Sequence, residues 1–510
     1  MRVRTLMGVE TEYALTALDQ NGRSIDRAML MELIFARARE HYPHVRDPGA
    51  GMFLANGSRL YLDRGHHPEF ATPECGNPWD VVRYIRAGER IVLDLAERVR
   101  RAAPGAREVL VFRSNVDYDR SGTTWGCHES YLHMQDPRIL APELIPHLVT
   151  RIVYTGAGGF NPLSPGAEFT LSPRAWLLPN VTARDSTGER GIFHFRDEPL
   201  AGPGWERLHV ICGESVCSDT AAVLKLGTTA LVLAAIELNR SPGTPVRLAA
   251  PVGALRRIAA NPVGPVELEA GGQLTPVQIQ RHYLAQVENC PRQRMPDWAP
   301  DLCRLWRDQL DAIEAGAPAL ERTLDWAVKR AVYRRWVSRT MPWRVFQRAS
   351  TLVEQLERFA RHRLAEESGP PLTAAALLAE GELEARYRSR LEPLVTSAGL
   401  EWKTLRRFLQ LRAELLETDF RFGQLGPGGV FEQLDRKGLL NHRQDWTRDV
   451  ETAMSSPPAG RAAVRGRWIG QLWNQRESGS YRSDWSIMWN ELTGRHLDLS
   501  DPFVVTADWR

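Results

Sequence analysis

Apolar and polar positions alternate in short bursts through the first part of the chain, which predicts strands there and helices further on. Residues 3–16 (VRTLMGVETEYALT) read as one strand. Its period of two sets Leu6, Gly8, Glu10 and Glu12 on one face and Val9, Thr11 and Tyr13 on the other. Helical spacing follows over 26–40, and Asn56-Gly57 marks a turn. In SRLYLDRGHHPEFATPEC (58–75), Arg59, Tyr61 and Asp63 face one way and Leu60 and Leu62 the other. Pro68 and Pro73 punctuate a second extended piece carrying Glu69 and Thr72. Val82, Ile85, Val92, Leu95 and Val99 predict a helix over 80–102, and 108–118 and 125–134 predict two strands joined by a Gly/Ser turn.

Beyond residue 190 the pattern lengthens. A strand-like ERLHVICGES leads into a long apolar helix from Thr220 to Leu238. Residues 302–365 and 372–418 are helix-rich and are separated by EESGPP (366–371), a break or linker. LGPGGVFEQLDRKGLL (425–440) is a Gly/Pro-rich joint into a helix, and the last 70 or so residues return to mixed α/β character. No internal repeat and no low-complexity tract is present.

Composition narrows the class. The 510 residues are 43% hydrophobic and 25% charged, and 16 Trp, 15 Phe and 11 Tyr supply enough burial to exclude global disorder. A net charge of +3 is too small to argue for a nucleic-acid binder. The richest apolar run, Ala230 to Ile236, is too short for a membrane span. The N-terminus turns acidic before an apolar signal core could form, and Cys75, Cys127, Cys212, Cys217, Cys290 and Cys303 contain no CxxC pair. The expectation is a cytoplasmic protein with reduced thiols, Cys212 and Cys217 beside His209 being a thiol-rich strand end rather than a metal site.

Strand alternation gathers Glu10, Glu12, Arg59, Tyr61, Asp63, Glu69, His128, Glu129, Arg207 and His209. So many carboxylates on one sheet face are either solvated or screened by divalent cations. A carboxylate-rich, thiol-poor set suits Mg²⁺ or Mn²⁺ better than zinc, and Mg²⁺ commonly shares its shell with phosphate. Neither a GxxxxGK[ST] loop nor a strand-linked GxGxxG occurs. What remains is a sheet that holds ATP through metal ions.

The motifs MGVETEYALT, NGSRLYLDRGHHPEFATPEC, NVD followed by WGCHESYL, FRDEP with RLHVICGES, LKLGTTALVL, LDWAVKR, GGVFEQLDRKGL and SDW…DPF run in order from residue 7 to about 503. Together they resemble the Pup ligase family, the proteasome accessory factor A group, whose relatives include the depupylase/deamidase and, more distantly, glutamine synthetase. The resemblance implies an α+β fold. Its parts are a glutamine-synthetase-like curved antiparallel sheet cradle packed with helices over 1–425, a helical insertion at about 341–416, and a small C-terminal α/β domain over 426–510.

It also implies an ATP- and Mg²⁺-dependent ligase. Such an enzyme phosphorylates the C-terminal glutamate of a small Pup-like modifier, and a target lysine then displaces the phosphate to form an isopeptide bond. Glu10, Tyr61 and Glu69 fall at the family's Mg²⁺-ligand positions, and Arg59, Thr72 and Trp485 at its ATP-contacting positions. Asp63 falls at its catalytic carboxylate, a general base for the lysine. His128 (metal) and His209 and Arg207 (phosphate) are less distinctive, each balanced against a hydrogen-bonded sheet residue, and Glu12 reads as a neighbour of the ligands. The partners implied are the modifier and lysine-bearing targets, with a proteasome system downstream as a further one; a membrane and nucleic acid are not expected.

The alternatives are a depupylase or deamidase hydrolysing the same bond, and a non-catalytic or nucleic-acid-associated protein on the same fold. Only HYPHVRDPGAG (41–51) separates the first helix from MFLANGSRLYLD, so the long loop of the depupylase branch is reduced or absent, which favours the ligase. Departures from the family are the length of about Met341 to Leu416, Glu214 where Asp is common, and Trp125 where Tyr is. The extra segment, with Leu352, Leu356, Phe359 and Leu364 at helical spacing, reads as a surface hairpin or a dock for a partner. VKRAVYRRWVSRTMPWRVFQR (328–348) reads as an amphipathic helix with Tyr333, Trp336 and Val337 inward and arginines outward. The other readings of that stretch are a single-stranded nucleic-acid surface and a basic groove for an acidic modifier.

Overall fold

The structure is a computed structural model that describes residues 2–63, 65–102, 105–185, 188–195, 201–363, 373–442 and 447–510. Arg196 onward in the FRDEP motif, Leu364 and the EESGPP break lie outside the described residues. Strands β1 (Met7–Glu12), β2 (Ala14–Asp19), β3 (His44–Arg46), β4 (Met52–Leu54), β5 (Arg59–Leu62), β6 (Pro68–Ala71), β7 (Ala106–Phe112) and β8 (Cys127–His133) come in the first third, with helices α1 (Arg27–His41) and α2 (Pro78–Ala102) between them. The stretch 3–16 is therefore two strands. Its first half pairs with β6 and β8, while β2 leaves after Tyr13 to pair with β7 in a separate two-stranded ribbon. For the same reason β7 and β8, consecutive in the chain, belong to different sheets.

Among the described residues, twelve strands form the main sheet. From one edge the order is Asn180–Ala183, Gly191–His194, Glu206–Val210, β8, β1, β6, β5, β4, β3, Tyr481–Ser483, Ile487–Asn490, His496–Asp498. All neighbours are antiparallel except the first pair and the junction of β3 with Tyr481–Ser483, so the sheet is mixed at two seams and antiparallel across its centre. The C-terminal strands thus continue the same sheet, and they share a small core of Val45, Phe53, Val464, Ile469, Met488 and Leu497.

One sheet face is covered by helices. Met7, Val9, Cys127 and Tyr131 pack into a large cluster with Leu144, Leu148, Leu224, Leu231, Leu302 and Trp306. Asp219–Glu237 is long and apolar enough to cross a membrane by composition, and 94% of its most apolar window is buried inside the fold, which marks it as a core helix. Ser218 caps it by accepting the Ala221 N–H. The other sheet face is left for polar residues, and the burial of β1 alternates accordingly.

The segment expected as an insertion is more than a hairpin. Helices Trp343–Arg363, Ala374–Glu380, Glu382–Ser397 and Trp402–Phe422 enclose their own core around Phe346, Leu352, Leu356, Leu405, Phe408 and Leu411. In the helix Asp325–Val337, Tyr333 and Val337 are buried as expected, but Trp336 is not. At 37% exposure its ring lies at the flank of the apolar stripe, and its indole N–H donates to Glu414 at 2.9 Å.

Candidate functional site

Register decides which side chains meet. Glu10 lies opposite Ala71 and His128, Glu12 opposite Glu69, Glu69 opposite Tyr61, and His209 opposite Ser130. Because partners across a ladder share a face, Glu10, Glu12, Arg59, Tyr61, Glu69, His128, Arg207 and His209 all look out from the face the helices do not cover. Glu129, which alternation alone groups with them, does not join them. It points into the core, where Arg151 pairs with both its oxygens.

Glu10 is the hub. Its oxygens lie 3.6 Å from His209 Nε2, 3.7 Å from Arg207 Nη1 and 3.9 Å from His128 Nδ1. The His128 and His209 rings meet edge to face at 5.3 Å. His209 is buried, and among the described residues neither ring nitrogen has a hydrogen-bond partner within 3.5 Å, Glu10 lying just beyond. Glu12 sits closer to the chemistry than its sequence position suggests: one oxygen accepts the Gly126 N–H at 2.8 Å, and the residue belongs to two potential cation-holding groups. Gly126 allows this approach, since a Cβ there would lie 2.3 Å from His128 Nε2.

Among the described residues, three sets of ligand atoms lie within 4.8 Å of one another: Glu10–His128–His209, Glu12–Glu69–His128, and Glu12–Asp63–His67. Electrostatics separates the two central glutamates. Burial raises the Glu69 pKa well above the carboxylate range, and the charges of Glu10, Glu12 and Asp63 push the same way. Burial also acts on Glu10, but His128, His209 and Arg207 outweigh it and hold this carboxyl well below the usual value. Burial and the same two glutamates raise the Tyr61 phenol. Such a face is under-compensated by the protein's own cations. A hard divalent ion fits it best at Glu12–Glu69–His128 and Glu12–Asp63–His67, which each offer two carboxylate oxygens to one imidazole, whereas Glu10–His128–His209 offers one to two.

Asp63 follows β5 directly. Burial pushes its carboxyl up, but the His67 side chain, 3.1 Å away, and the His67 backbone N–H, 2.5 Å away, win, and the group is held below its ordinary value. His67 is absent from the residues that alternation gathers; its spacing of four from Asp63 across Gly65 was the available signal. Asp47 is absent too, because it reads as a turn residue in RDPGAG. That buried carboxylate accepts two hydrogen bonds from Arg59, at 2.8 and 2.5 Å, and so lays the guanidinium over the Tyr61 ring at 4.1 Å.

Beside this acidic face runs a cleft with about 580 Å³ of open space. Gly8, Glu10, Thr72, Arg207, Trp485 and Pro502 are among its walls, so the two ends of the chain line one cavity. Thr72 Oγ1 also accepts the Val9 N–H at 3.0 Å. Trp485 stands edge-on to Phe53, and Arg465 lies 5.1 Å from its ring. Glu74, likewise unforeseen, ties this wall to the sheet through Arg461 at 2.5 Å and Arg465 at 3.1 Å.

Residues 5–351 match the family model described as Pup-ligase protein. The chain is 30% identical over 514 residues to Pup–protein ligase 1 of Rhodococcus erythropolis, covering 98% of this chain and 96% of that one. It is similar to the solved structure of the complex between prokaryotic ubiquitin-like protein Pup and its ligase PafA, with a TM-score of 0.74, 25% identity and coverage of 99% and 90%. It is also similar to the Pup ligase PafA in complex with ADP, with a TM-score of 0.66, 25% identity and coverage of 94% and 92%.

Proposed function

The chain belongs to the Pup-ligase family, and from that premise we propose that it is an ATP- and Mg²⁺-dependent ligase joining the C-terminal glutamate of a Pup-like modifier to lysines of target proteins. One observation carries the reading: a single sheet face collects Glu10, Glu12, Tyr61 and Glu69 beside a cleft, with Asp63 at the end of the same strand pair. Relatives of near-full-length match are named Pup–protein ligases, and one similar structure holds ADP, which supports both the bond formed and the nucleotide. The cytoplasm, where ATP is plentiful, is the compartment this reading takes; all six cysteines are free thiols.

In this reading Glu10, Tyr61, Glu69 and His128 would hold the magnesium, and Glu12 is added to them because it enters two of the three groups. ATP with its metal supplies a phosphoryl group that turns an unreactive carboxylate into an acyl donor. Arg207 and His209, packed against Glu10, present donors to developing phosphate charge. Arg59, Thr72 and Trp485 position the nucleotide, Arg59 being pre-oriented by Asp47. Asp63 accepts the proton of the incoming lysine. A lysine ammonium near pKa ~10.4 is not a nucleophile at neutral pH, and a carboxylate that His67 keeps ionised is ready to take its proton.

The test is incubation with ATP, Mg²⁺, a Glu-terminated Pup-like protein and a lysine-bearing acceptor, read by intact mass. A gain equal to the modifier less one water, with one ADP released per conjugate, is expected. Cleavage of a preformed conjugate without any conjugation would overturn the ligase reading in favour of the hydrolase.

A further inference from the structure

Strands β7 and β8 belong to different sheets, so the chain between them has to cross from the ribbon to the main sheet. It does so as a hairpin over residues 115–126. Val116 bridges Thr124, the Trp125 N–H donates to the Asn115 carbonyl at 3.1 Å, and the Thr124 hydroxyl donates to the same oxygen at 2.6 Å. The base of this hairpin enters the candidate site. There the Gly126 N–H donates to Glu12 at 2.8 Å, and the Trp125 ring lies 5.7 Å from that of His67, which holds the Asp63 carboxyl low.

The tip of the hairpin is held by helices remote in sequence. Tyr118 donates its hydroxyl to Asp419 on the helix Trp402–Phe422 at 2.7 Å and accepts the Phe160 N–H at 3.2 Å. Arg120 pairs with Glu357 on the helix Trp343–Arg363 at 2.6 Å. Arg190 adds a contact to the Gly122 carbonyl at 3.2 Å. Glu357 is buried at 2% exposure and the Asp419 side chain is nearly so, and in such surroundings hydrogen bonds are strengthened by the low local dielectric. Arg120 also holds a left-handed backbone, with φ of 71°, which a residue other than glycine keeps only where its surroundings fix it.

We infer that Tyr118 and Arg120 are positioning residues. Through the hairpin, the helices carrying Asp419 and Glu357 set the Gly126 N–H and the Trp125 ring, and with them Glu12 and His67. This rests on the proposed metal-holding role of that face and brings into it a helical segment that otherwise has no part in the reaction. None of Tyr118, Arg120, Glu357 and Asp419 lines the cleft. A hydrogen bond to a ligating carboxylate fixes which oxygen faces the ion, so a displaced hairpin weakens metal binding itself.

The test is Mn²⁺ affinity of the full chain without nucleotide, read by electron paramagnetic resonance. Tyr118→Phe/Arg120→Gln should weaken it about tenfold, the low end of what partners of metal ligands contribute. Asp419 keeps Lys329 and Tyr333, and Glu357 keeps Arg361, so no buried carboxylate is stranded and the melting temperature should stay near that of wild type. In conjugation, the Mg²⁺ concentration for half-maximal rate should rise by a similar factor while the saturated rate changes less. Arg120→Lys, which still offers one N–H to Glu357, should recover part of the affinity lost in Arg120→Gln. Tyr333→Phe is the control, because it removes a hydroxyl from the same Asp419 carboxylate but lies outside the hairpin. It should leave Mn²⁺ binding unchanged, and its comparison with Tyr118→Phe alone decides the matter should the double variant unfold. Equal weakening in the two single variants would reduce the effect to a general loosening and overturn the inference. Undiminished affinity in the hairpin variants would overturn it while leaving the metal site standing, whereas no Mn²⁺ binding by wild type would overturn both.

Discussion

Glu69 and Glu129 are both buried and lie on strands separated only by β1, yet they face opposite sides of the sheet and meet opposite fates. Behind the sheet, burial raises the Glu129 carboxyl, but Arg151 and Lys225 outweigh it and the group ends below its ordinary value. In front of it, Glu69 finds three other carboxylates and ends well above. Burial is common to the two; the sign is set by what the fold supplies as a partner. The protein neutralises its own charge where it needs a core. It leaves charge uncancelled where the proposed reaction needs a metal and its phosphates. The clamp of Glu74 by Arg461 and Arg465 belongs with Glu129, although it borders the cleft.

The largest effect expected is on the core side. Arg151→Met should cost about 3–5 kcal/mol in urea denaturation, because it strands a buried carboxylate. Arg151→Met/Glu129→Gln should regain a substantial part of that. A single-variant cost below ~1 kcal/mol would mean that Glu129 is solvated or protonated like its counterpart, and the contrast would fail. On the cleft side, Asp63→Asn should lower the conjugation rate by about 10²–10⁴-fold, the usual worth of a general base, with the unfolding midpoint unchanged. Loss of fold in place of rate would move Asp63 to the structural side of the comparison.

How much of this was legible beforehand depends on the distance over which each feature is decided. Period-two alternation is local, so the shared face of Glu10 and Glu12, and that of Arg59 and Tyr61, could be read directly. That β7 and β8 belong to separate sheets could not, because strand pairing is a long-range choice that alternation does not encode. Nor could the partners of the site be read. Asp47 looks like a turn residue, and Glu74 meets Arg461 across 387 positions of chain. Trp336 shows the limit on helices: one residue's step rotates a side chain by about 100°, enough to carry a large ring from the core to the flank. The resemblance to a family supplied roles for residues such as Thr72 and Trp485, whose convergence on one cleft no local pattern announces.

Glu69→Gln sharpens the contrast from the metal side. In wild type, Mg²⁺ with ATP at one hundred times its Kd should stabilise the fold by about 2.7 kcal/mol. The variant, relieved of one buried acid, should melt no lower than wild type without ligand and should lose most of the Mg²⁺-dependent gain. An undiminished gain would remove Glu69 from the ligands.

Glu74 gives the comparison a pH axis. Burial acts to raise this carboxyl, and Arg461 and Arg465 together bring it below its ordinary value. A lowered folded pKa means stability that is present above the unfolded value, about 4.3 for glutamate, and is lost as pH falls through the folded one. The melting advantage of wild type over Glu74→Gln should therefore be greatest near neutrality and shrink below about pH 4. Every tenfold difference in proton affinity between the folded and unfolded chain contributes about 1.4 kcal/mol to it. An advantage that instead grew on acidification would place Glu74 with Glu69.

The smallest effect concerns Thr72, which serves both sides at once. Its Oγ1 completes the junction of β1 and β6 by accepting the Val9 N–H, and its side chain also lines the cleft. Thr72→Val keeps the shape and removes the acceptor, leaving a buried N–H without its partner at a cost of about 1–3 kcal/mol. Thr72→Ser keeps the acceptor and should cost less. Nucleotide affinity, measured by calorimetry, tells the two roles apart. If Thr72 only secures the strands, both variants bind ATP like wild type once temperature is set well below each melting point. If its hydroxyl also meets the nucleotide, as the family resemblance implies, Val weakens binding and Ser does not. A hydroxyl that does neither would leave the edge of the cleft held by the Glu74 clamp alone.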